Sequence, residues 1–315
     1  KLVLSLLTHE QTSTISWKKK MLKYEAWCDL VGLDVKPHQK EGYKWCSARE
    51  EDKSMRGGIL CDEMGLGKTI LMLGCMILNP VGQTLIVVPP SLLNQWKNCV
   101  KKFMKHNIFV YHGPNVRNTT LEMLKSKKFV LTTYGMIARR MNPEYTNKLW
   151  QITWNRLICD EAHHIRNPKT NVCQGAFKLR AQIKWFLTGT PIQNSTTDIK
   201  ILFAMFGKII RGSVQLRSYI NSYVLRRTKS GVGIQIPENT RELVTVKWKT
   251  DLEKNLAATI HSTLNVFCVE VNSENVNSII EVLDYESQLP LFVRARQVCI
   301  YPKLLEIYIQ KLKKD

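Results

Sequence analysis

Lys68, Thr69, Asp160 and Glu161 are the residues whose types and spacing carry the most chemistry. Lys68 and Thr69 close the run Gly57-Gly58-Ile59-Leu60-Cys61-Asp62-Glu63-Met64-Gly65-Leu66-Gly67-Lys68-Thr69, and apolar Ile70-Leu71-Met72-Leu73 follows. A short apolar strand that enters a Gly-X-Gly-Lys-Thr turn and leaves as a helix is a phosphate cradle. Backbone N–H groups of Met64, Gly65, Leu66 and Gly67 can close on a polyphosphate, Lys68 adds a cation for the outer phosphates, and Thr69 offers a hydroxyl to Mg2+. The loop departs from the usual Gly-x4-Gly-Lys-Thr form, because Asp62 stands where the first glycine is expected. A glycine turn in front of a core helix is the alternative for this segment alone. A second segment argues against it: apolar Leu157-Ile158-Cys159 leads into Asp160-Glu161-Ala162-His163. Nucleoside triphosphate hydrolysis needs such a carboxylate pair at a strand end, Asp160 to hold hydrated Mg2+ and Glu161 to orient the attacking water.

Positioning these groups requires a parallel sheet. Between residues 57 and 206 short apolar strands alternate with helical stretches. Strands are expected at Gly58-Ile59-Leu60, Thr84 to Val88, Ile108 to Tyr111, Phe129 to Thr133, Leu157 to Cys159 and Trp185 to Leu187. Doubly buried strands separated by helices read as an α/β sheet covered on both faces. In such sheets ligands gather beyond the carboxyl ends of the strands, where all the polar motifs fall. Ser91 is expected to cap a helix running through Trp96 to Phe103. Residues before 57 read as helical, Gly231 to Pro237 as a linker, and Val244 to Trp248 as a strand; helices are expected after it.

Composition narrows the partners. The 315 residues carry 46 Lys and Arg against 26 Asp and Glu, a formal charge of +20, which on a nucleotide-binding chain favours a polyanion, most simply nucleic acid. The nine cysteines contain no C-x-x-C pair, so a reducing compartment without a zinc module or disulfide framework is expected. His163 and His164 are not expected to hold a metal, because adjacent histidines should point different ways. No apolar run approaches the roughly 20 residues that span a bilayer, so no membrane partner is expected. The sequence opens on Lys1, and an excerpt of a longer chain is expected.

Asp62 to Thr69, Asp160-Glu161-Ala162-His163, Thr188-Gly189-Thr190-Pro191-Ile192-Gln193-Asn194 and Leu225-Arg226-Arg227-Thr228-Lys229 together resemble the Swi/Snf-like ATPases of helicase superfamily two. Leu85 to Pro89 with Asn94-Gln95-Trp96, Leu131-Thr132-Thr133-Tyr134, His38-Gln39, and Arg296 to Pro302 are similar to further motifs of that family, so the likeness runs from about residue 36 to 302. The branch suggested is the transcription-termination-factor-like one, near which the baculovirus global transactivators belong. The resemblance implies a RecA-like motor lobe over residues 36–230, preceded by a helical lead-in over 1–35. A linker and the start of a second lobe, mostly helical, would follow over 231–315.

It also implies ATP and Mg2+ as ligands, Gln39 as the adenine reader, and His163, Thr188, Thr190 and Gln193 as the residues coupling nucleotide state to movement. Pro89, Ser91, Thr132 and Thr133 would meet the phosphates of double-stranded DNA without reading bases. For the last three, helix capping and ordinary strand positions remain the alternative, as an exposed helical glutamine does for Gln39. The implied work is DNA-dependent ATP hydrolysis and translocation in transcription or on chromatin, in the nucleus, or the host nucleus for a viral chain. A catalytically weak scaffold that binds DNA or a polymerase is the competing reading, and an RNA helicase is disfavoured by the motif wording. Two departures stand out. Only 30 residues separate Asn194 from Leu225, and the family's Gln-x-x-Gly-Arg-x-x-Arg motif, whose arginines reach the γ-phosphate, is missing from the sequence.

Overall fold

The computed structural model describes residues 17–140, 147–190 and 195–235, with scattered positions between 247 and 299. The chain divides into two compact units, 1–237 and 238–315. In the second unit the described positions at 251, 254, 255, 258, 293, 296, 297 and 299 are helical. Most of that unit, including Val244 to Val246 of the expected strand, lies outside the described residues, and Lys247 and Trp248 are in no strand.

The first unit is a seven-stranded, all-parallel sheet in the order β3-β4-β2-β5-β6-β1-β7. Its strands are β1 (Gly57–Leu60), β2 (Thr84–Val88), β3 (Phe109–Tyr111), β4 (Phe129–Thr133), β5 (Thr153–Asp160), β6 (Arg180–Leu187) and β7 (Val224–Leu225). Alternation along the strands sorts apolar side chains into two cores. Ile59, Leu85, Val87, Val130, Leu157, Cys159 and Phe186 face one way, and Leu60, Ile86, Val88, Leu131, Ile158, Trp185 and Leu187 face the other. Four helices cover the second face: α1 (residues 17–30), α2 (Pro37–Glu51), α3 (Lys68–Leu78) and α4 (Leu93–Cys99). The first face is covered by α5 (Leu121–Ser126), α6 (Tyr134–Ile137), α7 (Asn171–Phe177), α8 (Thr197–Ala204) and α9 (Ser213–Tyr223). This is the RecA-like α/β architecture expected from the sequence, with α8, α9 and β7 occupying the short span after Asn194.

α3 is apolar nearly all round, and Leu71 through Met76 are buried, so packing rather than propensity holds it against the sheet. α2 is polar and short of apolar anchors. It is fixed instead by Glu50 near its C-terminus, fully buried, whose carboxylate accepts from Arg156 Nε (2.7 Å) and Nη2 (2.6 Å) of β5, Trp185 Nε1 (2.8 Å) of β6 and Asn79 Nδ2 (2.5 Å) beyond α3.

Ser91 does not cap a helix. Pro89 is extended, Pro90 starts a 3₁₀ turn at Pro90–Leu92, and α4 begins at Leu93 after Leu92 without a side-chain cap. Proline tolerates the first helical position because it has no N–H to leave unpaired, so the helical path starts before Ser91. The path continues as a π-helical stretch, Val100–Met104. Among the described residues no helix is long and apolar enough to cross a membrane.

Candidate nucleotide and nucleic-acid site

The phosphate loop lies between β1 and α3, at the carboxyl edge of the sheet. Gly65 and Gly67 both have positive φ, +91° and +88°, which L side chains rarely adopt. Gly67 is the N-cap of α3, and a Cβ there would stand 2.5 Å from Gln39 Nε2. The two glycines therefore turn the chain tightly into α3 at Lys68 and Thr69, with the Gln39 amide close against Gly67. Gln39 Oε1 also accepts from Lys36 N (3.2 Å) at the start of α2, which fixes its orientation. Lys68 Nζ donates to Asp62 O (2.7 Å) and Glu63 O (3.4 Å), so the ammonium is held inside the loop by backbone carbonyls. Thr69 is half-buried beside it, and Leu66 is buried while Met64 is exposed.

The carboxylates arrive on β5, three strands across the sheet from the edge strand β7. Asp160 is buried; its Oδ2 accepts from Trp96 Nε1 (2.8 Å) and its Oδ1 from Glu161 N (3.0 Å). Burial pushes its carboxyl above the usual carboxylate range, opposed by the Trp96 hydrogen bond, while the Glu161 charge adds to the rise. Tyr134 Oη donates to the Asp160 carbonyl (2.7 Å), which pins the strand end. Glu161 sits at φ +52°, a left-handed conformation unusual for a non-glycine residue and of the sort concentrated at functional sites. His163 Nδ1 is 3.1 Å from Glu161 Oε2, near enough for an ion pair yet misaligned for a hydrogen bond.

His163 and His164 do not diverge as the sequence suggested: their rings stack at 4.6 Å, because the turn Ala162–Ile165 is 3₁₀ and tight. Burial and the neighbouring His163 lower the His164 pKa. Among the described residues no group of three His, Cys, Asp or Glu side chains is arranged to hold a metal ion.

The turn after β6 meets the phosphate loop. Thr188 is buried, Thr188 N donates to Leu60 O (3.1 Å), and Thr190 N donates to Thr188 Oγ1 (3.2 Å). A Cβ on the intervening Gly189 would lie 3.3 Å from Met64 Cγ, so this turn rests on the loop. Gln193 lies outside the described residues.

The four expected nucleic-acid residues separate into two kinds. Pro89 and Ser91 sit beyond β2, half-buried and exposed respectively. Thr132 and Thr133 do not offer hydroxyls to a ligand in this arrangement: both are buried, with Thr132 Oγ1 donating to Tyr111 O (2.8 Å) and Thr133 Oγ1 bonded to His112 Nδ1 (3.2 Å).

Sequence reasoning missed three participants. Trp96, which enters the family resemblance only as one letter of a motif, holds Asp160 through its indole N–H. Asp62 was read as an irregularity, yet its buried carboxylate receives Arg227 N (3.0 Å), Nε (3.0 Å) and Nη2. Arg227, part of the Leu225 to Lys229 motif, has its guanidinium engaged by this carboxylate and by His38 O. The signal for Asp62 and Arg227 was their opposite charge inside two motifs at the ends of neighbouring strands.

Residues 38–212, more than half of the chain, match the SNF2-related domain. The chain is 32% identical over 263 residues to transcription termination factor 2 of Drosophila melanogaster, covering 64% of this chain and 24% of that protein. It is 30% identical over 288 residues to the probable global transactivator of Orgyia pseudotsugata multicapsid polyhedrosis virus, covering 85% of this chain and 56% of that protein. The chain thus spans between a quarter and just over half of these relatives' lengths. Among solved structures, the Sulfolobus solfataricus SWI2/SNF2 ATPase core in complex with dsDNA shares the fold, with a TM-score of 0.54 and 22% identity over 87% of this chain and 60% of that one.

Proposed function

Because the chain belongs to the SNF2-related family of helicase-superfamily-two ATPases, we propose that it is the ATP-binding first motor lobe of a DNA-dependent ATPase that moves along double-stranded DNA. The observation that supports this best is the meeting of three strand ends: the Lys68 loop after β1, Asp160 and Glu161 after β5, and the Thr188–Thr190 turn resting on Met64. Gln39 stands over Gly67, where it can take the adenine edge, and the loop amides and Lys68 take the phosphates. The donor set fits Mg2+: Thr69 supplies a hydroxyl and Asp160 a carboxylate, hard oxygen ligands of the type the ion takes. Bound Mg2+ would neutralise phosphate charge at that place. Glu161, held on a left-handed turn next to Asp160, accepts a proton from the attacking water and orients it.

Gly189 against Met64 gives the coupling turn a direct physical link to the loop, so a shift of the loop on nucleotide binding is felt by Thr188 and Thr190. Double-stranded DNA as the track is supported by the +20 charge and by Pro89 and Ser91 at an accessible strand end. We infer work in transcription or on chromatin in the nucleus, by analogy with the named relatives. Arg227 is engaged by Asp62, and the family's Gln-x-x-Gly-Arg-x-x-Arg motif is missing from the sequence, so the lobe by itself is expected to turn over slowly. Titration calorimetry with ATP tests the assignment. Lys68→Ala is expected to weaken binding about tenfold to a hundredfold with an unchanged circular dichroism spectrum, and equal affinity would reject it.

A further inference from the structure

The segment Leu225 to Lys229 extends the sheet along the phosphate loop. β7 pairs with β1, and the pairing persists beyond both strands: Cys61 N donates to Leu225 O (2.6 Å) and Glu63 N to Arg227 O (2.9 Å). Side chains reinforce it. The Asp62 carboxylate binds Arg227 at three nitrogens, Arg227 Nη1 donates to His38 O at the base of α2, and Glu63 Oε2 accepts from Lys229 N (2.6 Å). These contacts fix where Lys229 emerges. Its Cε and Nζ lie 3.6 and 4.0 Å from the point a Cβ on Gly65 would occupy, so the ammonium stands on the outer lip of the loop. No carboxylate lies within ion-pair distance of it among the described residues. Lys68 approaches the same loop from α3, held by the carbonyls of residues 62 and 63.

We propose that Lys229 is a second phosphate-contacting cation, which binds the outermost phosphate of the nucleotide and thereby discriminates ATP from ADP. This rests on the assignment of the loop as an ATP site. Two lysines from opposite sides divide the work by depth. Lys68, inside the loop, meets the outer phosphates, including the β-phosphate that ATP and ADP share, whereas Lys229, on the lip, adds a contact only to the terminal phosphate that ADP lacks. Because Lys229 directly precedes the 3₁₀ turn Ser230–Val232, which leads out of the first unit, its engagement would report the terminal phosphate to the connecting segment. Asp62 and Arg227 act as positioning residues for it, through the backbone of residues 227–229.

The test is calorimetric titration of Mg-ATP and Mg-ADP into the full chain, wild type against Lys229→Ala, Lys229→Arg and Lys68→Ala. Lys229→Ala is expected to lose about tenfold in ATP affinity, the scale of one partly exposed charge-assisted contact, with ADP affinity within twofold of wild type. Lys229→Arg should recover most of the loss, and Lys68→Ala should weaken both nucleotides. A merely structural Lys229 would leave the ATP-to-ADP ratio unchanged, since its backbone bond to Glu63 survives substitution; that outcome overturns the proposal while leaving the ATP site standing. No binding of either nucleotide by the folded wild type would instead overturn the site assignment itself.

Discussion

Glu50→Ala is expected to be among the most destabilising single substitutions in the first unit, and the structure sets its size. The carboxylate is fully buried and accepts from four side-chain N–H groups, two of them on the equally buried Arg156. Removing one partner of a buried ion pair typically costs about 3–5 kcal/mol, because the remaining charge is stranded. Arg156 keeps Asn79 O at 2.9 Å and Cys75 O at 3.3 Å, which moves the ion-pair loss to the low end of that range. The Trp185 and Asn79 donors lose their acceptor too, at about 1 kcal/mol or more each. A total near 5 kcal/mol is a large share of the roughly 5–15 kcal/mol that holds a domain folded. At about 2–4 °C per kcal/mol for a domain of this size, the melting temperature should fall by about 10–20 °C. Differential scanning calorimetry reads it directly. Replacing both partners, Glu50→Leu with Arg156→Met, should restore much of the loss, since an apolar pair leaves no stranded charge. A melting temperature within a degree of wild type for Glu50→Ala, or a double variant as unstable as the summed singles, would refute the argument that this pair anchors α2.

Glu161→Gln in the full-length protein should cut turnover by about 10²–10⁴ while ATP affinity is nearly kept, read by phosphate release alongside calorimetry. The Asp160 carboxyl is raised by burial, so lowering the pH through that raised value protonates it; Mg-dependent nucleotide binding should weaken on the acid side, and in the free protein the same protonation relieves the desolvation cost, so stability from this group rises as pH falls. Trp96→Phe removes the hydrogen bond that opposes the rise and should move the acid limb of Mg-nucleotide binding to higher pH, whereas a limb that stays put would detach Trp96 from Asp160. Thr132→Val should leave duplex DNA affinity within about twofold while costing about 1 kcal/mol of stability, because its hydroxyl is engaged by Tyr111 O. A loss of DNA affinity with intact folding would return Thr132 to the interface.

Local signal carries the glycine turn and the strands. Gly65 and Gly67 announce positive φ, and Thr84 to Val88 announces a doubly buried strand, so the phosphate loop and the sheet were both legible. Strand length was not. β5 and β6 begin at Thr153 and Arg180, earlier than the apolar runs Leu157 to Cys159 and Trp185 to Leu187 suggested. Arg156 hid the start of β5 because a buried arginine looks like a surface residue until Glu50, far away in the chain, supplies its partner. Likewise Thr132 and Thr133 have the composition of a phosphate contact, and only the neighbouring strand β3 and His112 reveal where the hydroxyls go. Burial partners that come from distant segments leave no trace in local spacing.

Asp62 makes the same point with functional consequence. In a phosphate loop read alone, a carboxylate where glycine is usual looks like a defect, since a negative charge beside a polyphosphate repels it. The structure gives it a buried place just beyond β1, with Arg227, just beyond the parallel edge strand β7, neutralising it on one side and Lys68 held by its own carbonyl on the other. The acid is therefore neutralised within the fold and ties two motifs together. Such a tie needs a long, forked cation, because a lysine could not satisfy both carboxylate oxygens and also reach His38 O. The glycine loop after β1 and the segment Leu225 to Lys229 are thus one hydrogen-bonded unit, and movement of either is constrained by the other.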